Sequence, residues 1–223
     1  MSLDLPSPII YLITSGQTTS KTTPNSHEFS AILRLVEAAV ASNISLVQLR
    51  EKSLTARVLY ELTSSAVVIT RNSSTRLLVN DRFDIAMGAH ADGVHLTSRS
   101  MSPDVVRSSC GPEFLIGAST HSLSEARLAR DRGADLVVFG PVFETESKRA
   151  YGAPQGLVKL REVCSALNGF PVIAIGGVKG ENARECFQSG ASGVAAISLF
   201  SDAAKLKSVV DEIVGVSLRG RPS

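Results

Sequence analysis

The chain has 223 residues, a formal net charge of +2 and 43% hydrophobic residues, and it lacks Trp. A charge this close to balance gives no indication of a nucleic-acid or membrane-surface partner, and the composition is typical of a soluble globular protein that can bury a full core. The length lies at the lower end of what one α/β barrel needs and would also allow two small domains.

Short runs rich in β-branched residues alternate along the chain with longer amphipathic stretches, which predicts alternating strands and helices. The predicted strands are Ile9–Thr14, Leu46–Arg50, Leu77–Asn80, Gly93–Leu96, Phe114–Ser119, Leu136–Gly140, Val172–Gly176 and Val194–Leu199. The predicted helices are Glu28–Ala41, Thr55–Arg71, Phe83–Ala89, Pro103–Ser109, Leu123–Arg132, Leu157–Leu167, Glu181–Ser189 and Asp202–Val216. This alternation indicates parallel strands joined by right-handed crossovers.

Three helix-to-strand joints resemble one another; they begin at His90, Gly133 and Gly190. A repeated joint together with eight strands favours a closed (β/α)₈ TIM barrel, although an open doubly wound sheet also fits the pattern. No linker divides the sequence, so we predict one domain over residues 1–223. The longest polar stretches, residues 15–27 and 144–155, both follow strands and should lie on the C-terminal face, where barrel enzymes place their sites.

The second predicted strand ends in polar residues that share one side. Gln48, Arg50 and Lys52 alternate with Val47 and Leu49, and the apolar pair should face the helices. The polar residues would then point into the barrel mouth, where unpaired charges are costly and need an anionic or polar partner. They suit a phosphorylated ligand with a hydrogen-bonding ring, and a structural salt-bridge cluster is the alternative.

The third and fifth predicted strands end in further candidates. Asp81, after Asn80, could hold a Mg²⁺ ion that bridges phosphate oxygens, or could cap the helix near Phe83. Ser119 and His121 share parity and could both project inward, with His121 as an acid or base near neutral pH. Alternatively, Ser122 and Glu125 form a capping box that His121 merely precedes.

The remaining candidates follow the last three strands. Thr145, Ser147 and Lys148 could clamp a diphosphate or belong to a solvated loop. Gly177 after the seventh strand, with the amides of Ile197 and Ser198 after the eighth, suits the phosphate cradle common in barrels.

Three features of the sequence bear on cellular location. Met1–Pro8 lacks a basic segment and does not read as a signal peptide, and no apolar run approaches the roughly 20 residues of a membrane helix. Cys110, Cys164 and Cys186 have no metal-ligand spacing and are predicted to be buried thiols in a reducing compartment. We therefore expect a cytoplasmic protein without a membrane or nucleic-acid partner. A homo-oligomer is compatible with the sequence.

Six motifs resemble the thiamine phosphate synthase and thiazole tautomerase superfamily over nearly the whole chain. They are QLREK at 48–52, VNDRFDIA at 79–86, ADGVHL at 91–96, GASTHS at 117–122, FGPVFETESK at 139–148 and AIGGV at 174–178. The resemblance implies a barrel enzyme of thiamine biosynthesis that joins hydroxymethylpyrimidine diphosphate to a thiazole phosphate and releases pyrophosphate.

The resemblance also implies roles for the site residues. Gln48 and Arg50 would contact the pyrimidine and its diphosphate, and Ser119 would lie near the reacting centre. Gly177 and the amides of Ile197 and Ser198 would bind the thiazole phosphate. The pyrophosphate leaving group would be held by Lys52, Asn80, Thr145, Ser147 and Lys148.

One departure from the synthase pattern concerns the metal. A second aspartate of the synthases, which shares Mg²⁺ with the residue matched by Asp81, is replaced here by Ser100, a poorer ligand for Mg²⁺. Arg99 could lend charge to the leaving group instead. The tautomerase branch tolerates Ser100 and uses a histidine matching His121 to move a proton on a thiazole carboxylate phosphate without a metal. We favour the synthase because the Gln48, Arg50 and Lys52 set suits a diphosphate. The third alternative is a non-catalytic sensor of phosphorylated ligands.

Overall fold

The computed structural model describes residues 5–145 and 153–218. Its strands are β1 (Ile9–Ile13), β2 (Leu46–Leu49), β3 (Arg76–Asn80), β4 (Gly93–Leu96), β5 (Leu115–Thr120), β6 (Leu136–Phe139), β7 (Val172–Ile175) and β8 (Gly193–Ala196). The helices that follow them in order are α1 (His27–Ala41), α2 (Ala56–Thr70), α3 (Phe83–Gly88), α4 (Pro103–Arg107), α5 (Leu123–Asp131), α6 (Gly156–Ala166), α7 (Gly180–Gln188) and α8 (Leu206–Leu218).

The eight strands pair in parallel in chain order, and β8 closes on β1. In the closing register Ile9 lies beside Gly193 and Leu12 beside Ala196. The predicted (β/α)₈ barrel is confirmed and the open doubly wound sheet is excluded. Because all strands are parallel, their C-terminal ends, and every loop that leads into a helix, lie at one mouth of the barrel.

Alternating side chains divide the core into two layers. One cluster fills the barrel interior and includes Tyr11, Leu46, Leu78, Val138 and Ile173. The larger cluster lies between the strands and the helices, which bury one face against the barrel. The division follows from strand parity: in β2, Val47 and Leu49 belong to the outer cluster and Leu46 to the inner one.

The largest difference from the predicted elements is at the end of the eighth repeat. Strand β8 stops at Ala196 and the chain enters a one-turn 3₁₀ helix, Ser198–Phe200, so the prediction of a strand to Leu199 is wrong. Helix α8 begins at Leu206, and the residues from Asp202 form a turn in which the Asp202 carboxylate accepts from the Ala204 amide at 3.0 Å. Asp favours such local bonds over helix interiors.

The three cysteines are free thiols, but only Cys186 is fully buried, whereas Cys110 and Cys164 are half-buried. The prediction of three buried thiols is therefore correct for one of them. Desolvation raises the pKa of both Cys164 and Cys186 to about 12, so these two thiols stay protonated at neutral pH. Within the described ranges no helix has the length and apolar character required to cross a bilayer.

Candidate active site at the barrel mouth

A chain of three polar side chains crosses from β2 to the end of β3. Gln48, on the inner face of β2 and 2% exposed, donates from Nε2 to Asn80 Oδ1 at 2.8 Å. Asn80 in turn donates from Nδ2 to Asp81 Oδ2 at 2.7 Å. The Oε1 atom of Gln48 is buried and has no partner among the described residues. An orphaned buried acceptor costs about 1–3 kcal/mol unless a ligand or water donates to it.

Asp81 is held by hydroxyl groups from the loop after β4. Its backbone lies in the left-handed region at φ 60°, and Oδ1 accepts from Thr97 Oγ1 at 3.1 Å and from Ser100 Oγ. The carboxylate therefore faces the two loops at the ends of β3 and β4. Helix α3 has Arg82 at its N-cap without a side-chain cap bond, so the alternative reading of Asp81 as a helix cap is not supported.

The oxygen atoms of Asp81 and of the hydroxyl groups beside it fit a weakly held Mg²⁺ ion. Mg²⁺ commonly takes one or two protein carboxylates and completes its shell with water and substrate phosphate oxygens. Asp81 supplies one half-buried carboxylate with neutral hydroxyls beside it. Among the described residues there is no group of three or more His, Cys, Asp or Glu side chains placed so that it could hold a metal ion. A metal here would therefore depend on the substrate for charged ligands.

Ser119 forms a hydrogen bond with His95, which was not among the predicted site residues. His95 on β4 lies 2.9 Å from Ser119 Oγ through Nε2 and 3.2 Å from the Tyr11 hydroxyl through Nδ1. Burial in the barrel lowers the pKa of His95 to about 4, against an opposing effect of the Asp81 charge, so the ring is neutral at pH 7. The alternation of side chains along β4 could have identified it. Val94 and Leu96 pack against the helices, so His95 between them must face the barrel interior.

The cationic residues after β2 diverge once the strand ends at Leu49. The Arg50 guanidinium is half-buried, and no hydrogen bond or ion pair to it is found in the ranges that the structure describes. Lys52 is exposed in the turn leading to α2, so the alternation of the strand does not fix its direction. Of the predicted inward set, the structure places Gln48 on the inner face and leaves Arg50 and Lys52 beyond the strand.

Glu51, which the sequence analysis gave no role, anchors the loop after β1. Its carboxylate is 2% exposed and accepts from Thr14 Oγ1 at 2.6 Å, Thr18 Oγ1 at 2.7 Å and the Gly16 amide at 3.2 Å. Thr14 Oγ1 also accepts from the Arg50 amide at 2.8 Å. These bonds hold the first loop against Arg50 at the barrel mouth.

The loops after β6 and β7 are joined to each other. The amide of Val142 donates to Ile175 and that of Phe143 to Gly176, at 2.8 and 2.9 Å. Gly177 has a φ of 66°, and a Cβ there would come within 2.5 Å of the Glu144 carbonyl oxygen, so only glycine allows this approach. Thr145 lies beside this junction in sequence and is half-buried. Ser147 and Lys148 lie outside the described residues.

Backbone hydrogen bonds join residues 141–142, which follow β6, to residues 155–156 at the start of α6. The amides of Gln155 and Gly156 donate to the carbonyls of Pro141 and Val142 at 2.7 and 3.1 Å. Gln155 and Gly156 therefore lie beside the residues that follow β6. After β8, Ile197 and Ser198 lie at the start of the 3₁₀ turn rather than in a strand, so their amides follow a tight turn at the same mouth.

His121 lies away from the inner face of the barrel. It follows β5, is exposed, and its Nδ1 lies 2.5 Å from the carbonyl oxygen of Gly140. Ser122 caps α5 by accepting from the Glu125 amide at 3.2 Å, and the Glu125 carboxylate accepts from the His121 amide at 2.7 Å. The structure thus favours the capping alternative over an inward projection beside Ser119.

A cavity of about 310 Å³ adjoins His121 between α5 and α6. It is lined by Ser122, Ser124, Phe139, Gln155 and Lys159, among others. Phe139 belongs to the layer between strands and helices, so this cavity lies on the helix side of the barrel. His121 therefore lines a space on the helix side of the barrel.

Comparisons with known proteins identify the family to which the chain belongs. The family described as thiamine monophosphate synthase matches residues 10–200. The thiamine-phosphate synthase of Moorella thermoacetica is 38% identical over 189 residues, which cover 85% of this chain and 90% of that protein. The thiamine-phosphate synthase of Roseiflexus sp. is 36% identical over 190 residues, or 85% of this chain and 77% of that protein. The solved thiamine phosphate pyrophosphorylase from Pyrococcus furiosus superposes with a TM-score of 0.78 at 30% identity, covering 96% of this chain and 97% of that one. This chain belongs to the thiamine monophosphate synthase family.

Proposed function

We propose that the protein is a thiamine-phosphate synthase that joins hydroxymethylpyrimidine diphosphate to a thiazole phosphate and releases pyrophosphate. Family membership supports the activity, and the named relatives share it. The observation in the structure that carries the proposal is the buried Oε1 of Gln48, which has no partner among the described residues, on the strand that leads into the cation of Arg50. A heterocycle that donates a hydrogen bond and carries a diphosphate satisfies both groups.

In this proposal, the mouth of the barrel binds both substrates, the pyrimidine diphosphate and the thiazole phosphate. Gln48 receives the ring of the pyrimidine diphosphate, and Arg50 lies where its diphosphate would leave. Gly177 and the amides of Ile197 and Ser198 bind the phosphate of the thiazole, since amides of tight turns bind anions without a side chain. Lys52, Thr145, Ser147 and Lys148 remain proposed contacts of the diphosphate.

The chemistry is a displacement at the methylene carbon of the pyrimidine. The bond from this carbon to the diphosphate oxygen breaks, the oxygen keeps the electron pair, and the thiazole nitrogen supplies the pair for the new carbon–nitrogen bond. No proton has to move. The chain's own residues therefore act by orienting the two rings and by stabilising negative charge on the departing diphosphate.

Ser119 completes the site as a polar contact near the reacting centre, and neutral His95 fixes the direction of its hydroxyl. Asp81 is the proposed carboxylate ligand of Mg²⁺, with Ser100 as a neutral neighbour. When it is bound, Mg²⁺ neutralises charge on the diphosphate.

The direct test is incubation of the purified protein with both substrates and Mg²⁺, followed by separate quantification of thiamine phosphate and pyrophosphate. We expect equimolar formation of both. The Arg50→Gln variant should lose at least about tenfold in kcat/KM, because it removes a charged contact to the diphosphate. Binding of both substrates without any product would instead support a ligand sensor.

The His121→Ala variant separates this proposal from a thiazole tautomerase. Since His121 is exposed and faces the helix-side cavity, we expect its removal to change the rate of thiamine phosphate formation by less than about threefold. If the wild type isomerises a thiazole carboxylate phosphate and His121→Ala abolishes that rate, the tautomerase assignment would replace ours.

A further inference from the structure

Three polar side chains from different strands form a hydrogen-bonded chain across the barrel interior. The hydroxyl of Tyr11 on β1 lies 3.2 Å from Nδ1 of His95 on β4, and Nε2 of that ring lies 2.9 Å from Oγ of Ser119 on β5. Tyr11 is fully buried and His95 is 2% exposed, whereas Ser119 is half-buried. Ser119 is thus the member of the chain that a ligand can reach.

Packing fixes the place of the His95 ring. The ring lies against Gly117 on β5, where a Cβ would come within 2.7 Å of Nδ1, so it fills space that a side chain at position 117 would need. The Tyr11 ring packs edge-on against it, with the ring centroids 5.8 Å apart. These contacts hold the imidazole between Tyr11 and Ser119, with one nitrogen atom facing each hydroxyl group.

The donors and acceptors of this chain can be assigned from the available partners. Burial lowers the pKa of His95 to about 4, so the neutral ring has one N–H donor and one acceptor nitrogen. The Tyr11 hydroxyl has no second partner in the part of the chain that the structure describes. If Nδ1 carried the hydrogen, the buried O–H group of Tyr11 would have no acceptor, which is costly. Tyr11 therefore donates to Nδ1, and Nε2 carries the hydrogen and donates to Ser119.

We propose that Tyr11 is a positioning residue for the reaction: by keeping the hydrogen of His95 on Nε2, it leaves the Ser119 hydroxyl free to donate to the departing diphosphate. This relay from Tyr11 through His95 to Ser119 rests on the proposed function. With the opposite tautomer, Ser119 would donate to Nε2 and could only accept from a ligand. A free O–H donor stabilises the negative charge that develops during the displacement, whereas an oxygen lone pair opposes it.

The tautomer of His95 can be measured without any substrate. In ¹⁵N NMR spectra of the imidazole groups at neutral pH, the His95 signals are assigned by their loss in His95→Gln. We expect an unprotonated Nδ1 and a protonated Nε2 in the wild type. In Tyr11→Phe nothing donates to Nδ1, so the form with the hydrogen on Nδ1 should become detectable. A wild type with the hydrogen on Nδ1 would overturn the relay.

Steady-state kinetics test whether Tyr11 acts through Ser119. The wild type, Tyr11→Phe, Ser119→Ala and the double variant form one thermodynamic cycle. We expect Tyr11→Phe to lower kcat at least about fivefold and to change KM less than about twofold, because the weakened interaction is with charge that develops in the transition state. In the Ser119→Ala background the same substitution should change kcat less than about twofold, since no hydroxyl is left to orient.

Ile9→Val is the matched control, since Ile9 lies on the same strand and in the same interior cluster as Tyr11 but has no polar side-chain atom. Its kcat should stay within about twofold of the wild type. An equal loss of kcat for Tyr11→Phe in both backgrounds would show that Tyr11 acts by packing, and the relay would fail while the proposed function stands. A wild type that forms no thiamine phosphate would overturn the proposed function, and the NMR measurement would still decide whether Tyr11 orients Ser119.

Discussion

At the scale of single residues, the site is defined by which atoms of neighbouring side chains can donate and which can only accept. Asp81 receives three donors, from Asn80, Thr97 and Ser100, and a neutral hydroxyl therefore occupies the position nearest its Oδ1 atom. A metal held by one carboxylate is weakly bound until the diphosphate arrives.

Ser100→Asp should convert this arrangement into a two-carboxylate site. We expect the Mg²⁺ concentration for half-maximal activity to fall by about tenfold, and direct Mg²⁺ binding without substrate to become measurable by calorimetry, since affinity for hard cations rises with ligand charge. Ser98→Asp is the control, because Ser98 is exposed in the same loop. Equal Mg²⁺ dependence of all three proteins would show that position 100 does not face the metal.

Strand parity accounts for how much of the site the sequence could predict. It correctly placed Gln48 on the inner face, because β2 extends through Leu49. It could not fix the direction of Arg50 or Lys52, because alternation has no meaning once the strand has ended. It would have identified His95 had the middle of the strand been considered as well as its end. The partner of a buried polar group, such as Thr18 for Glu51, comes from a distant loop and is not visible in the sequence.

At the scale of elements, the loop after β1 depends on one buried carboxylate. Glu51 fixes Thr14, Gly16 and Thr18, so a single side chain from the turn after β2 holds the loop in place. The prediction of polar loops on the C-terminal face located this segment, but it could not show that the segment is tied down.

Glu51→Gln should loosen that loop. One oxygen becomes a donor that cannot accept from a threonine hydroxyl, and we expect a loss of about 1–2 kcal/mol in the free energy of unfolding, together with faster proteolysis between residues 15 and 26. Urea unfolding and limited proteolysis measure both effects. Glu61→Gln is the matched control, since its partner Arg57 is 86% exposed and such pairs contribute little. Equal proteolysis of the two variants would contradict the anchoring role.

At the scale of the whole molecule, the fold rests on closure of the cylinder between β8 and β1. Gly193 lies opposite Ile9, and a Cβ at this position would overlap the Ile9 carbonyl oxygen. Strand and helix counts predicted the barrel from the alternating pattern alone. The end of β8 and the start of α8 were not predicted correctly. The chain turns at Ile197 into a short 3₁₀ helix, which no periodic pattern of hydrophobic residues predicts.

Gly193→Ala should therefore destabilise the barrel as a whole. We expect a loss of about 3 kcal/mol in the free energy of unfolding, because two strands must separate to admit the methyl group. Gly111→Ala is the control, since no atom lies within 4 Å of a Cβ at that position, and its effect should stay within about 0.5 kcal/mol. Equal urea midpoints for the two variants would show that the pairing of β8 with β1 accommodates the methyl group without a loss of stability.

The backbone hydrogen bonds between the end of β6 and the start of α6 have a consequence for changes of length in the residues between them. Because Gln155 and Gly156 are tied directly to Pro141 and Val142, strand β6 and helix α6 keep their relative placement whatever sequence spans the interval. We therefore expect insertions or deletions within residues 146–152 to leave the end of β6 and the start of α6 in place.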